Sequence, residues 1–183
     1  MGLINKFNKI ATGIALVSSA FLNLGLERKV LADTLQVPSQ YSTIQSAIDA
    51  SHDGDEIVVD EGKYIENINF NGKNIILRST NPFNQDIVKN TIIDGNQAGS
   101  VVTFEGNEGT SCTLEGFTIT NGKGDNYGGG IRCISSSPKI SYCSLLNNKA
   151  ERLFTPGQRD PSAMGGGVYC KNSKAIVSSC TIS

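Results

Sequence analysis

The chain has 183 residues, with 16 Lys and Arg against 17 Asp and Glu, 38% hydrophobic residues, 20 Gly and no Trp. A formal net charge of -1 leaves no basic stripe of the kind that grips nucleic acid. A single histidine excludes any centre built on several imidazoles.

Lys6 and Lys9 precede an apolar run over residues 10–26, and Val30-Leu31-Ala32 supplies a small-residue cleavage pattern. Residues 1–32 therefore read as a secretory signal peptide. Ser18, Ser19 and Asn23 interrupt the run, which makes it a poor spanning helix, and no later segment could cross a membrane. Cleavage after Ala32 leaves 12 basic and 16 acidic residues, a net charge of -4. The expected location is secreted or cell-surface, without nucleic acid as a partner.

Residues 33–55 read as an extended lead-in and a short helix. Ser42 to Gln45 has the capping-box pattern, and Ile44, Ala47 and Ile48 share one helical face that ends before His52-Asp53-Gly54. From Glu56 the period changes from helix to strand. Short β-rich runs at 57–59, 64–70, 74–77, 91–93, 101–104 and 112–114 are separated by Gly, Asn and Pro. Phe117 to Asn121 aligns with Cys143 to Asn147 at an offset of 26, and Leu114 with Ile140 at the same offset. Gly128-Gly129-Gly130-Ile131-Arg132-Cys133 recurs as Gly165-Gly166-Gly167-Val168-Tyr169-Cys170 at an offset of 37, kept by the segments behind each copy.

A fixed period marks a repeat whose units bury their apolar faces by stacking. The offset of 26 is one turn, and the difference of 11 residues is a loop over 151–164 that leaves the stack. The fold class expected is all-β: a right-handed parallel β-helix of about four coils over residues 56–183, with a short N-terminal capping helix. Ser183 follows a strand directly, so the chain reads as truncated. Self-association through an uncapped last coil is then expected.

Cys133 with Cys170 and Cys143 with Cys180 fall at equivalent places, one strand spacing of ~4.8 Å apart. Disulfides prefer a closer approach of their Cβ atoms, so these thiols read first as a ladder of soft core side chains. The glycine triplets read as corners, and Asn121 with Asn147 as an asparagine ladder.

Residues 57–77, IVVDEGKYIENINFNGKNIIL, resemble the first turns of the pectin-lyase-like right-handed parallel β-helix superfamily. LEGFTITNG, GGGIRCISSSPKISYC and GGGVYCKNSKAIVSSC resemble the parallel β-helix repeats of large exported bacterial proteins. Thr43-Ile44-Gln45-Ser46-Ala47-Ile48 and Gly62-Lys63-Tyr64-Ile65-Glu66 are similar to the opening of pectinesterases. The Gln-Asp pair and the Asp-Phe-Ile-Phe-Gly segment that carry pectinesterase catalysis are absent. The resemblance implies the fold and leaves activity open, since the superfamily includes lyases, esterases, hydrolases, tailspikes and adhesins.

No pair of carboxylates stands where glycoside hydrolysis would need it. Asp53, Asp55 and Asp94 flank glycines and read as turn residues. The outward positions Thr118, Thr120, Ser144, Leu146, Thr181 and Ser183 offer no carboxylate to a hard cation, so Ca²⁺ is a weak candidate cofactor and no metal ligand is assigned. No catalytic residue is assigned either. A polymer site is expected at Asp125, Arg132, Arg159, Asp160 and Tyr169. The function expected is an exported scaffold, non-catalytic in this segment, for cell-surface or envelope attachment or polysaccharide binding. The alternative is a pectate lyase-like or pectinesterase-like enzyme whose residues lie in 151–164 or beyond 183.

Overall fold

The computed structural model describes residues 31–151 and 164–183. The signal-peptide reading of residues 1–32 falls almost wholly outside them. No helix among the described residues is long and apolar enough to cross a membrane.

The chain opens with strand β1 (Thr34–Val37) and helix α1 (Ile44–Ala50). Strands β2 (Glu56–Val59), β3 (Gly62–Ile65), β4 (Ile68–Asn69) and β5 (Ile76–Ser79) follow, and then a second helix, α2 (Gln85–Asn90). Next come β6 (Thr91–Asp94), β7 (Val102–Phe104), β8 (Thr113–Glu115), β9 (Thr118–Thr120), β10 (Lys123–Asp125) and β11 (Ile131–Ile134). The last are β12 (Lys139–Ser141), β13 (Ser144–Leu146), β14 (Lys149–Glu151), β15 (Val168–Lys171), β16 (Ile176–Ser178) and β17 (Thr181–Ile182).

These strands form open, parallel sheets and make the fold all-β. One sheet has the order β1-β2-β5-β8-β12-β16, a second β17-β13-β9-β6-β3, a third β15-β11-β7-β4, and β10 with β14 makes a fourth. Each pass of the chain thus adds one strand to each of the three large sheets. Among the described residues, four complete passes are preceded by β1 and followed by β16 and β17.

Both sequence offsets become strand register. Ile140 pairs with Leu114 and Ser144 with Thr118 at 26; Arg132 pairs with Tyr169 and Ile140 with Val177 at 37. The change occurs between the Asp125–Glu151 and Tyr127–Met164 pairings, so the additional residues enter where the repeat analysis places them.

The core follows from alternation. Ile57, Leu77, Leu114 and Ile140 stack in register within the six-stranded sheet, and Ile93, Ile119 and Leu145 within the five-stranded one, all 0% exposed. Phe70 and Phe104 stack with ring centroids 4.3 Å apart. Such ladders remove apolar surface from water at roughly 25 cal/mol per Å², and they require the strand direction and register to persist from layer to layer. The chain turns corners through single left-handed residues. Gly116, Tyr142 and Ser179 connect the six- to the five-stranded sheet, while Asn71, Ser135 and Asn172 leave the four-stranded one. Asn is favoured at such positions because its short polar side chain lowers the penalty on positive φ.

Several expectations require correction. The capping box of α1 lies one residue later than Ser42: the Thr43 side chain accepts from the Ser46 amide, and Ser46 Oγ accepts from the Thr43 amide. Gln45 is engaged elsewhere, bridging to the Asn69 backbone, and the Glu66 carboxylate accepts the two amides that open the helix. Helix α2 was not expected. It covers the five-stranded sheet, so Thr118 is buried and its hydroxyl donates to the Val88 carbonyl at 2.9 Å. Asn121 and Asn147 share the left-handed conformation, but the Asn121 amide donates to Asp94, while Asn148 takes the backbone of the layer below through Ile119 and Gly122. In each glycine triplet only Gly128 and Gly165 have positive φ; the others are where backbones approach closely. All five cysteines are free thiols, with Cys133 and Cys170 in direct register; Cys133 and Cys143 are buried, but Cys170 is exposed and Cys180 half-buried, so the expected core ladder holds for only one member of each pair.

Candidate functional site

The four-stranded sheet turns Ile68, Val102 and Ile131 inward. Side chains alternate across a strand, so the register places Asn69, Thr103, Arg132 and Tyr169 in one outward column, with steps of ~4.8 Å. This column is the candidate site.

Tyr169 does not stand alone. Its ring lies 4.6 Å from that of Tyr127, inclined at 30°. Tyr127 and Met164 form a parallel bridge beside the glycine triplets, and the glycine backbone runs close against the next residues of the column. A Cβ on Gly128 would meet Arg132 Cβ at 2.9 Å, and one on Gly165 would meet Tyr169 Cβ at 3.0 Å. The triplets therefore pack their backbone tightly beside Arg132 and Tyr169.

Arg132 Nη1 lies 3.5 Å from Glu105 Oε2, and Asn69 Nδ2 donates to Glu105 Oε1 at 3.3 Å. Arg132 Nε is closed off from solvent and has no acceptor. An unsatisfied buried donor costs about 1–3 kcal/mol, while the rest of the Arg132 side chain is 37% exposed beside a double aromatic platform. Such a platform offers flat apolar faces with polar rims, and a guanidinium matches a carboxylate.

Of the residues singled out from the sequence, Arg132 and Tyr169 are brought together, one strand apart. Asp125 stands at the exposed end of β10, in register with Glu151 rather than in the column. There, Lys123 and Lys149 bond both Glu151 oxygens, at 2.9 and 2.8 Å, and hold its carboxyl below the usual range. Arg159 and Asp160 lie outside the described residues; Glu151 and Met164, which bound their segment, pair with Asp125 and Tyr127. His52 is exposed, with Nδ1 3.8 Å from Asp55 Oδ2 at the turn after α1. Among the described residues, no three His, Cys, Asp or Glu side chains converge as metal ligands.

Sequence reasoning missed Tyr127 and Glu105. Tyr127 directly precedes the first glycine triplet and has no aromatic counterpart at Met164, so repeat alignment passes over it. Glu105 has the better signal, since strand alternation from Thr103 predicts that it shares the outward face.

No protein-family model, no curated protein and no solved structure matches this chain.

Proposed function

We propose that the chain is an exported right-handed parallel β-helix of the pectin-lyase-like type, and that it serves as a scaffold holding an acidic polysaccharide against its four-stranded sheet. The three parallel sheets filled in rotation support the helical reading, because parallel crossovers are overwhelmingly right-handed. One observation carries the binding reading: the Tyr127–Tyr169 stack adjoins Arg132, whose side chain stays 37% exposed in the same outward column. Sugar rings lie on aromatic faces, and a uronate carboxylate satisfies the guanidinium.

The test is affinity electrophoresis of the full chain through gels containing polygalacturonate. Retarded migration is expected, weakened at least tenfold in apparent affinity by Tyr169→Ala and by Arg132→Gln. Unretarded wild-type protein with a β-type circular dichroism spectrum overturns the reading. The same samples, followed at 235 nm with Ca²⁺ and then with chelator, separate scaffold from lyase. Calcium-dependent unsaturated product would transfer the function to an enzyme, whose residues would be sought first in the segment between Glu151 and Met164.

A further inference from the structure

The six-stranded sheet carries a concave cleft. After β5 the loop over 80–83 folds back on the outer face of the six-stranded sheet. The Asn81 carboxamide accepts the Phe83 amide at 3.1 Å and the Asn81 carbonyl accepts the Asn84 amide at 3.2 Å, which fixes the turn into α2. Pro82 is seated against Gly116, where a Cβ would come within 2.5 Å of Pro82 Cα. The loop therefore forms one wall of a cleft of about 350 Å³, whose floor is two neighbouring rows, Glu56 with Ile76 and Arg78 with Glu115, of β2, β5 and β8.

Phe83 projects from this wall 69% exposed, and its ring meets Tyr142 edge-on at 4.9 Å and 76°. Full burial of a phenylalanine is worth about 1.5–3 kcal/mol, yet most of this ring remains exposed. Across the floor, Arg78 Nε donates to Glu56 Oε1 at 2.6 Å and Nη1 reaches the Ser79 and Thr80 carbonyls at 3.0 and 3.2 Å. The guanidinium is thereby fixed through Nε and Nη1, and among the described residues Nη2 has no partner. Glu115 Oε1 accepts from Ser141 Oγ at 3.1 Å, and among the described residues its second oxygen has no partner.

We infer that this cleft binds an uncharged pyranose unit of a saccharide chain. The ring hydroxyls donate to Glu115 and Glu56 and accept from Arg78 Nη2, while the apolar face of the sugar lies on Phe83. Two carboxylates against one guanidinium give the cleft a negative balance, which disfavours a uronate and separates this ligand from the one proposed for the Tyr127–Tyr169 face. The volume is at the lower end of small-ligand pockets, room for one or two sugar rings. This inference does not rest on the acidic-polymer reading, because the residues, sheet and ligand charge all differ.

Saturation-transfer difference NMR on the full chain tests it, with cellohexaose, xylohexaose and mannohexaose as separate probes and trigalacturonate as the charged comparison. Transfer to ring protons of at least one neutral hexasaccharide is expected. Phe83→Ala should abolish it, Glu115→Gln should weaken binding about tenfold, and Tyr169→Ala should leave it unchanged. Phe83 is exposed, so its removal should leave the circular dichroism spectrum intact. Absence of transfer from all three probes overturns the inference, as does transfer that survives Phe83→Ala. Transfer lost only in Tyr169→Ala would also overturn it, while leaving the four-stranded face as the sugar site.

Discussion

The Cys143 amide donates to the sulfur of Cys180 at 3.4 Å, one layer away along the stack. The Cys180 thiol is half-buried, and contact with Cys143 lowers its pKa to about 7 against the opposing effect of burial. Burial and the Cys180 contact instead push the Cys143 thiol well up. Iodoacetamide labelling of the native protein should therefore modify Cys180 with a midpoint near pH 7. Cys143 and the buried Cys112, which burial pushes up to about 12, should be spared until denaturant is added. Peptide mass mapping across a pH series reads this directly, and equal labelling of Cys143 and Cys180 would contradict the arrangement.

Asp94 predicts an acid limb of stability. Burial alone would raise its pKa, but Lys63 Nζ at 2.7 Å, the Asn96 amide at 2.9 Å and the Asn121 amide group at 2.9 Å lower it. A carboxylate with a depressed folded pKa stabilises above its unfolded value, about 3.9, and loses that contribution as pH falls through the folded one. Asp94→Asn should cost about 1–3 kcal/mol at pH 7 and flatten the stability profile below pH ~4. Lys63 is more than half exposed, so Lys63→Met should cost less and lose its effect in high salt. Urea titrations at stepped pH measure both.

Glu108 is 1% exposed and accepts the Gly72 and Gly106 amides, each at 2.9 Å, and the Ser136 hydroxyl at 2.6 Å. It ties three successive layers together at one corner. Glu108→Ala orphans these donors and should destabilise on the order of 3 kcal/mol. The exposed Glu61→Ala should stay within about 0.5 kcal/mol. Chemical denaturation of the two variants distinguishes a structural carboxylate from a surface one.

Gly130 tests the close approach at the triplets. Its amide donates to the Gly166 carbonyl at 2.9 Å, and an added Cβ would lie 2.5 Å from the Gly167 carbonyl oxygen. Backbone cannot move aside as a flexible side chain can. Gly130→Ala should cost about 1–3 kcal/mol, seen as a lower urea midpoint with an unchanged slope.

Legibility of the fold followed from its repetition. In a parallel stack, a constant sequence offset is a constant register, so the matches at 26 and 37 specified Leu114 beside Ile140 and Cys133 beside Cys170 before any coordinates. The site was less legible. Arg132 and Tyr169 fell together because they share the repeat, whereas Tyr127 pairs with Tyr169 at a spacing of 42, outside either period.

The sequence by itself determined most short β-rich runs, the register of the layers from Leu114 onward, the place where that register changes and the alternation that buries the aliphatic ladders, although the run at 64–70 divides into β3 and β4 and the earlier layers follow other offsets. These are local or periodic properties, and short-range sterics with the pleat of a strand suffice to read them. Tertiary structure alone decided that α2 covers Thr118, that Glu108 is a buried acceptor, and that the loop over 80–83 places Phe83 against Tyr142. Each of these depends on where a non-repeating segment comes to rest on the stack. That resting place is set by packing and hydrogen-bond satisfaction between residues whose separation follows no period.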